Sequence, residues 1–391
     1  MKIGVVIDRL NIGGVEKIAI EEVIALRKQG QDAQLVVLRE KAVVPDAFPD
    51  LLQDVPVTYL DIRLPRILRF SFQFPFFSFF SLFHLTYPVL LPFVIKTKEF
   101  DYFIVHGTYT CFSAIAIKKI RKINFSVFIW DPISFILDRV YSSSFLTPVF
   151  WLFKKVALVI DKVIIKNTDK ILAGGTAHND FFSRINPDKE IEVIYPSVHP
   201  IDKPHKKEDY VLMVTAWKRG KHPEYVVKLL KNLPGLQLKM VGKWVEPEYQ
   251  KEFEQLISKN KFQDRVEIVG AVSESELSDY YANARVLLQT NEDRGFGMPA
   301  LEAAGNGTTF IIPGGQGVCN LFTDKEDGFY TKEKDTETII ALLQLVMKDI
   351  KLATSLGNSA WTKVINNYSW ERHAEQLIRV IENSLQVTSN L

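Results

Sequence analysis

Cysteine is scarce. Cys111 and Cys319 are the only two in 391 residues, far apart and without metal-ligand spacing. No disulfide framework and no zinc site is expected, and a reducing, cytoplasmic setting fits. An excess of one charge is also lacking: 48 basic and 46 acidic side chains leave a formal net charge of +2. No overall field favours nucleic acid as a partner. No Asp-x-Asp pair occurs, so paired carboxylates that would bridge a metal to a diphosphate are missing, and no metal is expected. No Gly-x-Ser-x-Gly or His-Glu-x-x-His run is present, which removes two familiar hydrolase patterns. The first apolar run, IGVVI, is short and closed at once by Asp8 and the turn residues NIGG, so no secretion signal is expected.

Long apolar runs are absent with one exception. Residues 70–95 (FSFQFPFFSFFSLFHLTYPVLLPFVI) contain no Asp, Glu, Lys or Arg, a length that would suit a membrane span. Pro75, Pro88 and Pro92 break it as one helix. It also lies between VPVTYL and FDYFIVH, two apparent strands of one sheet, which a single crossing would leave on opposite sides of a bilayer. A span is therefore rejected.

What is present is a regular alternation of short apolar runs with amphipathic segments, the pattern of parallel sheets with crossover helices. KIGVVI, AQLVVL, VPVTYL, YFIVH, SVFIW, KILAG and EVIYP read as strands in the first half. A polar, proline-bearing stretch after Pro196 (PSVHPIDKPHKKED) reads as a linker. A second series follows: YVLMVT, LQLKMVG, RVEIVG, RVLLQT and TTFIIP. The chain length fits two domains of ordinary size. The expected division is residues 1–200 and 201–368, with an amphipathic helix over 369–391 packing back on the first domain. The fold class expected is α/β, two Rossmann-like doubly wound domains facing across a cleft, with function at the carboxyl ends of the strands.

Three strand-to-helix turns carry the chemistry. In RVLLQTNEDRGFGMPALEAAGNG a buried strand runs into a loop, and a helix starts at Pro299, where the missing N–H is no loss. Gly295 and Gly297 allow close backbone approach beside Phe296 and Met298, and the free amides of the new helix suit a diphosphate. Glu302, one turn in, can accept two hydroxyls of a ribose. By themselves these residues fit equally a strand–loop–helix whose glycines serve packing. VTAWKRGKHPEYVVKLL brings Lys218, Arg219 and Lys221 to the end of another strand, and NIGGVEK places Gly13 and Gly14 after the first. A solvated basic loop and a plain tight turn are the simpler readings of those two.

The segment EDRGFGMPALEA resembles the signature of the family 4 glycosyltransferases, which have the GT-B fold. The family motif is a glutamate, seven residues and a second glutamate around a Gly-Phe-Gly core. The resemblance implies that Glu302 binds the nucleotide ribose. Arg294 stands where the first glutamate, a donor-sugar contact, is expected, with Glu292 and Asp293 beside it. Lys221 matches a lysine that holds the donor diphosphate. The usual arginine position holds Ala216, and Arg219 is taken as its replacement. Such cations suit a leaving group whose negative charge rises as the glycosidic bond breaks. Gly13 and Gly14 resemble the family's first glycine turn. PGGQGVCNLFTDKEDGFY resembles the loop whose glutamate touches the sugar; here Gly315 and Gly317 keep the backbone open and Asn320 replaces the glutamate. His106, at the end of FDYFIVHG, is a candidate acceptor or donor contact. Trp130 occupies the place of a family histidine and cannot accept a proton; Asp131 beside it is a candidate for orienting the acceptor.

The expected activity is transfer of a hexosyl group, with retention, from a nucleoside diphosphate sugar (UDP-sugar or GDP-sugar) to a hydroxyl of a glycan or lipid-linked acceptor, without a further cofactor. A catalytically silent sugar-nucleotide or glycan-binding protein of the same fold is the main alternative; an epimerase is a second. Residues 62–130 add nine basic side chains against only Glu99 and Asp101. With the Phe-rich run they suggest peripheral contact with an anionic membrane on its cytoplasmic face.

Overall fold

The computed structural model describes residues 1–389 apart from 12, 41–47, 70–82, 97, 109, 131, 136, 138–146, 177–178, 291–295 and 333–334. Half of the Phe-rich run, residues 70–82, thus lies outside the described residues. Among those described, no helix is long and apolar enough to cross a membrane.

Two compact units form. The first comprises Met1–Pro196 with Trp370–Leu391, the second Ser197–Ser369. The first unit is a parallel sheet of seven strands: β1 (Lys2–Ile7), β2 (Asp32–Val37), β3 (Val57–Tyr59), β4 (Tyr102–His106), β5 (Asn124–Phe128), β6 (Lys170–Ala173) and β7 (Ile191–Val193), in the order β3-β2-β1-β4-β5-β6-β7. Residues of β1, β4 and β5 are buried almost without a break. That is why the sequence shows apolar runs rather than alternation, as expected of strands covered by helices on both faces. The second unit repeats the wiring with β8 (Val211–Val214), β9 (Leu238–Val241), β10 (Val266–Gly270), β11 (Val286–Leu288), β12 (Phe310–Pro313) and β13 (Phe329–Thr331), ordered β10-β9-β8-β11-β12-β13. β13 is three residues long and lies between charged stretches, TDKEDG before it and KEKD after, so it reads as part of the loop.

Both sheets reverse direction of winding once, between β1 and β4 and between β8 and β11. At such a switch point adjacent crossovers leave to opposite faces, and the strand ends open a crevice where ligands bind in doubly wound folds. The three turns singled out in the sequence leave β1, β8 and β11, and His106 ends β4. Helix Gly14–Lys28 follows β1 and packs against the C-terminal helix Trp370–Ser389.

The polar stretch after Pro196 is not a free linker. Ile201 N donates to Gly305 O at 3.1 Å and Glu208 N to Asn283 O at 2.7 Å. Lys207 is only 5% exposed. Its ammonium donates to Ala282 O (2.6 Å), Thr308 Oγ1 (2.6 Å) and Asn306 O (3.3 Å). Burial lowers its pKa to about 7.

Candidate functional site

At the end of β8 the chain builds a platform before it presents its cations. Trp217 N donates to Lys243 O at 2.8 Å and Val245 N to Trp217 O at 2.9 Å, extending β8 and β9 by one bridge. Gly242, at φ +123°, lies so close to Thr215 O that a Cβ would overlap it. The Trp217 and Trp244 rings stack 5.8 Å apart, and the Trp217 indole donates to Val241 O at 3.1 Å. The 3-10 turn Arg219–Lys221 stands on this base. Arg219 reaches Glu252 at 2.7 Å and Glu246 at 3.4 Å, and its guanidinium lies 4.5 Å from the centre of the Tyr249 ring. Its hydrogen bond to Glu252 raises the arginine's pKa and lowers the glutamate's. Arg219 therefore carries a compensated charge, unlike the uncommitted cation the sequence suggests. Lys221 is half-buried on the same turn.

Beyond β11, Glu292, Asp293, Arg294 and Gly295 lie outside the described residues. Phe296 and Gly297 lead into helix Met298–Gly305, with proline in its first turn. Gly297 has φ +92°, and a Cβ there would overlap the Gln316 side-chain oxygen and lie 2.8 Å from Val318. Any other residue would meet both strain and a clash. Val318 N donates to Phe296 O at 2.7 Å, and a Cβ on Gly317 would sit 2.9 Å from the Phe296 ring. The loop after β12 is thereby fastened to the start of the helix. The structure brings Phe296, Gly297, Met298, Gly315 and Gly317 into two adjoining turns. Gly315, at φ +92°, faces open space, and Asn320 is exposed.

Glu302 is held from behind. The hydroxyl of Tyr281 donates to Glu302 Oε2 at 2.8 Å. Burial, then the charge of Glu302, raise the Tyr281 pKa well above its ordinary value, so the phenol remains a donor. Asn306 Nδ2 donates to Glu302 O at 2.8 Å, and Ser278 Oγ to Asn306 Oδ1 at 2.7 Å. Lys207 closes this network on its far side. Sequence reasoning missed Tyr281, Asn306, Lys207 and Gln316, because no motif marks residues that act only through a neighbour. Gln316 is buried, and its side-chain oxygen has no partner among the described residues.

The switch point of the first unit differs. Gly13 is extended, and its carbonyl accepts from Lys17 N at 3.1 Å to start the helix. The Glu16 carboxylate folds over Gly13 where a Cβ would be, while Gly14 meets open space. Burial raises the Glu16 pKa. Asp8 pairs with Arg39, with Nε at 3.1 Å. His106 is fully buried: its Nε2 lies 2.8 Å from Glu22 Oε2, and Glu22 Oε1 lies 3.0 Å from His373 Nε2. His373 Nδ1 lies 2.9 Å from Tyr195 O. Burial alone would raise the Glu22 pKa, but the charge and hydrogen bond of His106, then those of His373, outweigh it and hold the carboxyl at about 2. The rings of His106, Phe128, Trp130 and His373 lie in near-parallel rows, with centroids 4.9 Å apart for His106–Phe128 and 5.4 Å for Phe128–Trp130. Trp130 lies across Gly174, where a Cβ would overlap its ring. Asp131 lies outside the described residues.

The units are doubly wound, with glycines at strand ends, cations after β8 and a braced carboxylate after β11. Residues 197–363, nearly all of the second unit, match the family model of the glycosyl transferases group 1. It is 27% identical over 176 residues to the O-antigen chain mannosyltransferase RfbU of Salmonella typhimurium, covering 44% of this chain and 48% of the relative. The chain spans about half or less of the length of the curated relatives it matches. Among solved structures it is similar to Anabaena HepE in complex with UDP, with 16% identity, a TM-score of 0.74, and coverage of 98% of this chain and 100% of that one. It is also similar to sucrose-phosphate synthase from Thermosynechococcus elongatus, with 16% identity, a TM-score of 0.76, and coverage of 98% and 99%. The fold is that of the GT-B glycosyltransferases.

Proposed function

We propose that the protein is a retaining glycosyltransferase that moves a hexosyl group from a nucleoside diphosphate sugar to a hydroxyl of a glycan or lipid-linked acceptor. UDP is the first choice of nucleotide, because the similar Anabaena protein is solved with UDP and with UDP-glucose. The observation that carries the reading is Glu302, fixed by Tyr281 at 2.8 Å one turn inside a helix whose entry is lined by glycine. Side chains on a helix lean toward its N-terminus, so this carboxylate is directed to the ribose of a nucleotide whose diphosphate meets the helix amides.

In the proposed reaction the acceptor oxygen bonds to the anomeric carbon as the bond from that carbon to the diphosphate breaks. The acceptor proton passes to a phosphate oxygen, and the nucleoside diphosphate leaves. No protein base is needed, in keeping with a buried His106 and an indole at position 130. Lys221 is assigned to the diphosphate. Arg219 joins it only by leaving Glu246 and Glu252. The backbone of Gly315 and Gly317 and the side chain of Asn320 are assigned to the sugar with Arg294 and Gly295. The first unit, with Trp130 and Asp131, is assigned the acceptor side, including peripheral contact with an anionic membrane, and the backbone amides of its Gly13 and Gly14 are assigned to the donor.

A thermal-shift panel of UDP, GDP and ADP sugars, followed by assay of released nucleoside diphosphate with and without acceptor, tests the reading. Stabilisation by one donor with acceptor-dependent release supports it. Saturable donor binding without release or slow hydrolysis favours the catalytically silent alternative.

A further inference from the structure

Helix Thr147–Asn167 contains one acidic residue, Asp161, and it is turned inward. Its carboxylate accepts from Ile133 N at 2.9 Å, Ser134 N at 3.1 Å and Ser134 Oγ at 2.8 Å. The opposite face is exposed, and it is apolar to a degree unusual for a solvent-facing helix. Trp151 is 58% exposed, Leu152 50%, Val156 50%, Val159 59% and Val163 43%. At 3.6 residues per turn Leu152, Val156, Val159 and Val163 form one continuous stripe. The other exposed side chains of that face are Lys155, Lys162 and Lys166, in a row beside the stripe. Lys155 lies over the Trp151 ring, 4.7 Å from its centre.

The layer extends sideways. Helix Cys111–Arg121 packs against Thr147–Asn167 and against Phe83–Val94, and these neighbours expose Ile120, Val89 and Phe93. By contrast, several cations of residues 62–130 are used inside the unit. Arg63 pairs with Glu99 at 2.6 Å, Lys118 with Asp169 at 2.5 Å, and Arg121 donates to Pro92 O at 2.5 Å.

We infer that the exposed face of helix Thr147–Asn167 is a docking surface for an anionic lipid bilayer, with the valine stripe entering the headgroup boundary and the three lysines on the lipid phosphates. This rests on the membrane contact proposed above and moves its centre to a helix the charge pattern of residues 62–130 does not include. The chemistry is that of an interfacial helix, an apolar stripe beside a basic edge with no acidic side chain to repel the surface. A folded domain rarely exposes such a stripe without a partner, and a face with three cations and no anion selects a negatively charged one.

Flotation with vesicles of phosphatidylglycerol and phosphatidylcholine, at low salt, tests this. The triple variant Lys155→Glu, Lys162→Glu, Lys166→Glu is expected to lose roughly a hundredfold or more in vesicle affinity, since each lysine near an anionic surface contributes roughly fivefold. The variant Leu152→Ser, Val156→Ser, Val159→Ser is expected to lose binding also. The control Lys231→Glu, Lys348→Glu, Lys351→Glu, exposed in the second unit, changes net charge equally and is expected to float like the wild type. Retained stabilisation by UDP shows that each variant is folded. If the wild type floats and both helix variants float equally well, the helix assignment is overturned while membrane contact stands. If the wild type does not float, both fall. Self-association by sedimentation in place of flotation would overturn the lipid assignment and make this face a contact between copies. Equal binding to pure phosphatidylcholine would overturn the anionic selectivity.

Discussion

The two units share one wiring, yet the switch points are finished in opposite ways. In the first, the space beside β1 and β4 is closed by Glu22, His106 and His373, a buried hydrogen-bonded chain whose members come from a helix, a strand end and the C-terminal helix. In the second, the corresponding space beside β8 and β11 is bordered by glycines at φ +92° and by Glu302, whose carboxylate is braced from behind by Tyr281. Polar groups that satisfy one another inside a unit hold its elements together. Glu302 is braced by Tyr281 at an end bordered by glycine, the end proposed above to take the donor. The same scaffold thus supports a pinned end and a receptive end.

That contrast can be broken from the pinned side first. Glu22→Ala leaves two buried imidazoles without their shared acceptor and is expected to destabilise the protein by about 3–5 kcal/mol, read as a large fall in Tm in thermal unfolding. The acid limb has a definite sign. A carboxyl whose folded pKa is about 2 and whose ordinary value is 4.5 contributes stability above the ordinary value. The contribution is lost as pH falls from 4.5 toward 2, and the variant should show a shallower loss there.

Lys207 gives the opposite slope. Its folded pKa of about 7 lies below the ordinary 10.5, so the unfolded chain binds more protons between these values and stability rises with pH across that window. Lys207→Met should flatten that rise, on the order of a few kcal/mol, in urea unfolding measured from pH 7 to pH 10.

On the receptive side, Gly297→Ala combines positive φ with a clash against Gln316. It is expected to destabilise the turn by about 1–3 kcal/mol and to abolish stabilisation by a nucleotide sugar. The smallest effects separate two cations of one turn. Lys221→Ala should weaken donor binding at least tenfold, as loss of a charged hydrogen bond of about 1.5–3 kcal/mol implies. Arg219→Ala should change it less than threefold, because Glu246 and Glu252 already occupy that guanidinium. Equal losses in a titration of both variants would return Arg219 to the diphosphate.

Much of this was legible in the sequence, for a physical reason. The central strands, buried on both faces, must be apolar runs and appear as KIGVVI, YFIVH and SVFIW; the half-buried edge strands β3 and β7 show through the longer runs around them, and Pro299 and Gly297 mark a helix entry by backbone geometry alone. β13 stays hidden because its three residues are flanked by charge on both sides, whereas β3, β7 and β11, equally short, sit in longer apolar runs. Lys207 reads as a solvated linker charge because nothing local signals its three acceptors. Glu22 and His373 are separated by 351 positions, and Tyr281 precedes Glu302 by 21; only folding brings such partners together. Arg219 was read by its charge, and its two carboxylates lie on a later segment of chain.

The central claim is that Glu302, oriented by Tyr281, receives the ribose of a donor nucleotide. Calorimetric titration of UDP into the wild type and into Glu302→Ala tests it most directly. Saturable binding by the wild type, lost in Glu302→Ala while its unfolding stays cooperative, is the predicted result; equal affinity in the two proteins would contradict it.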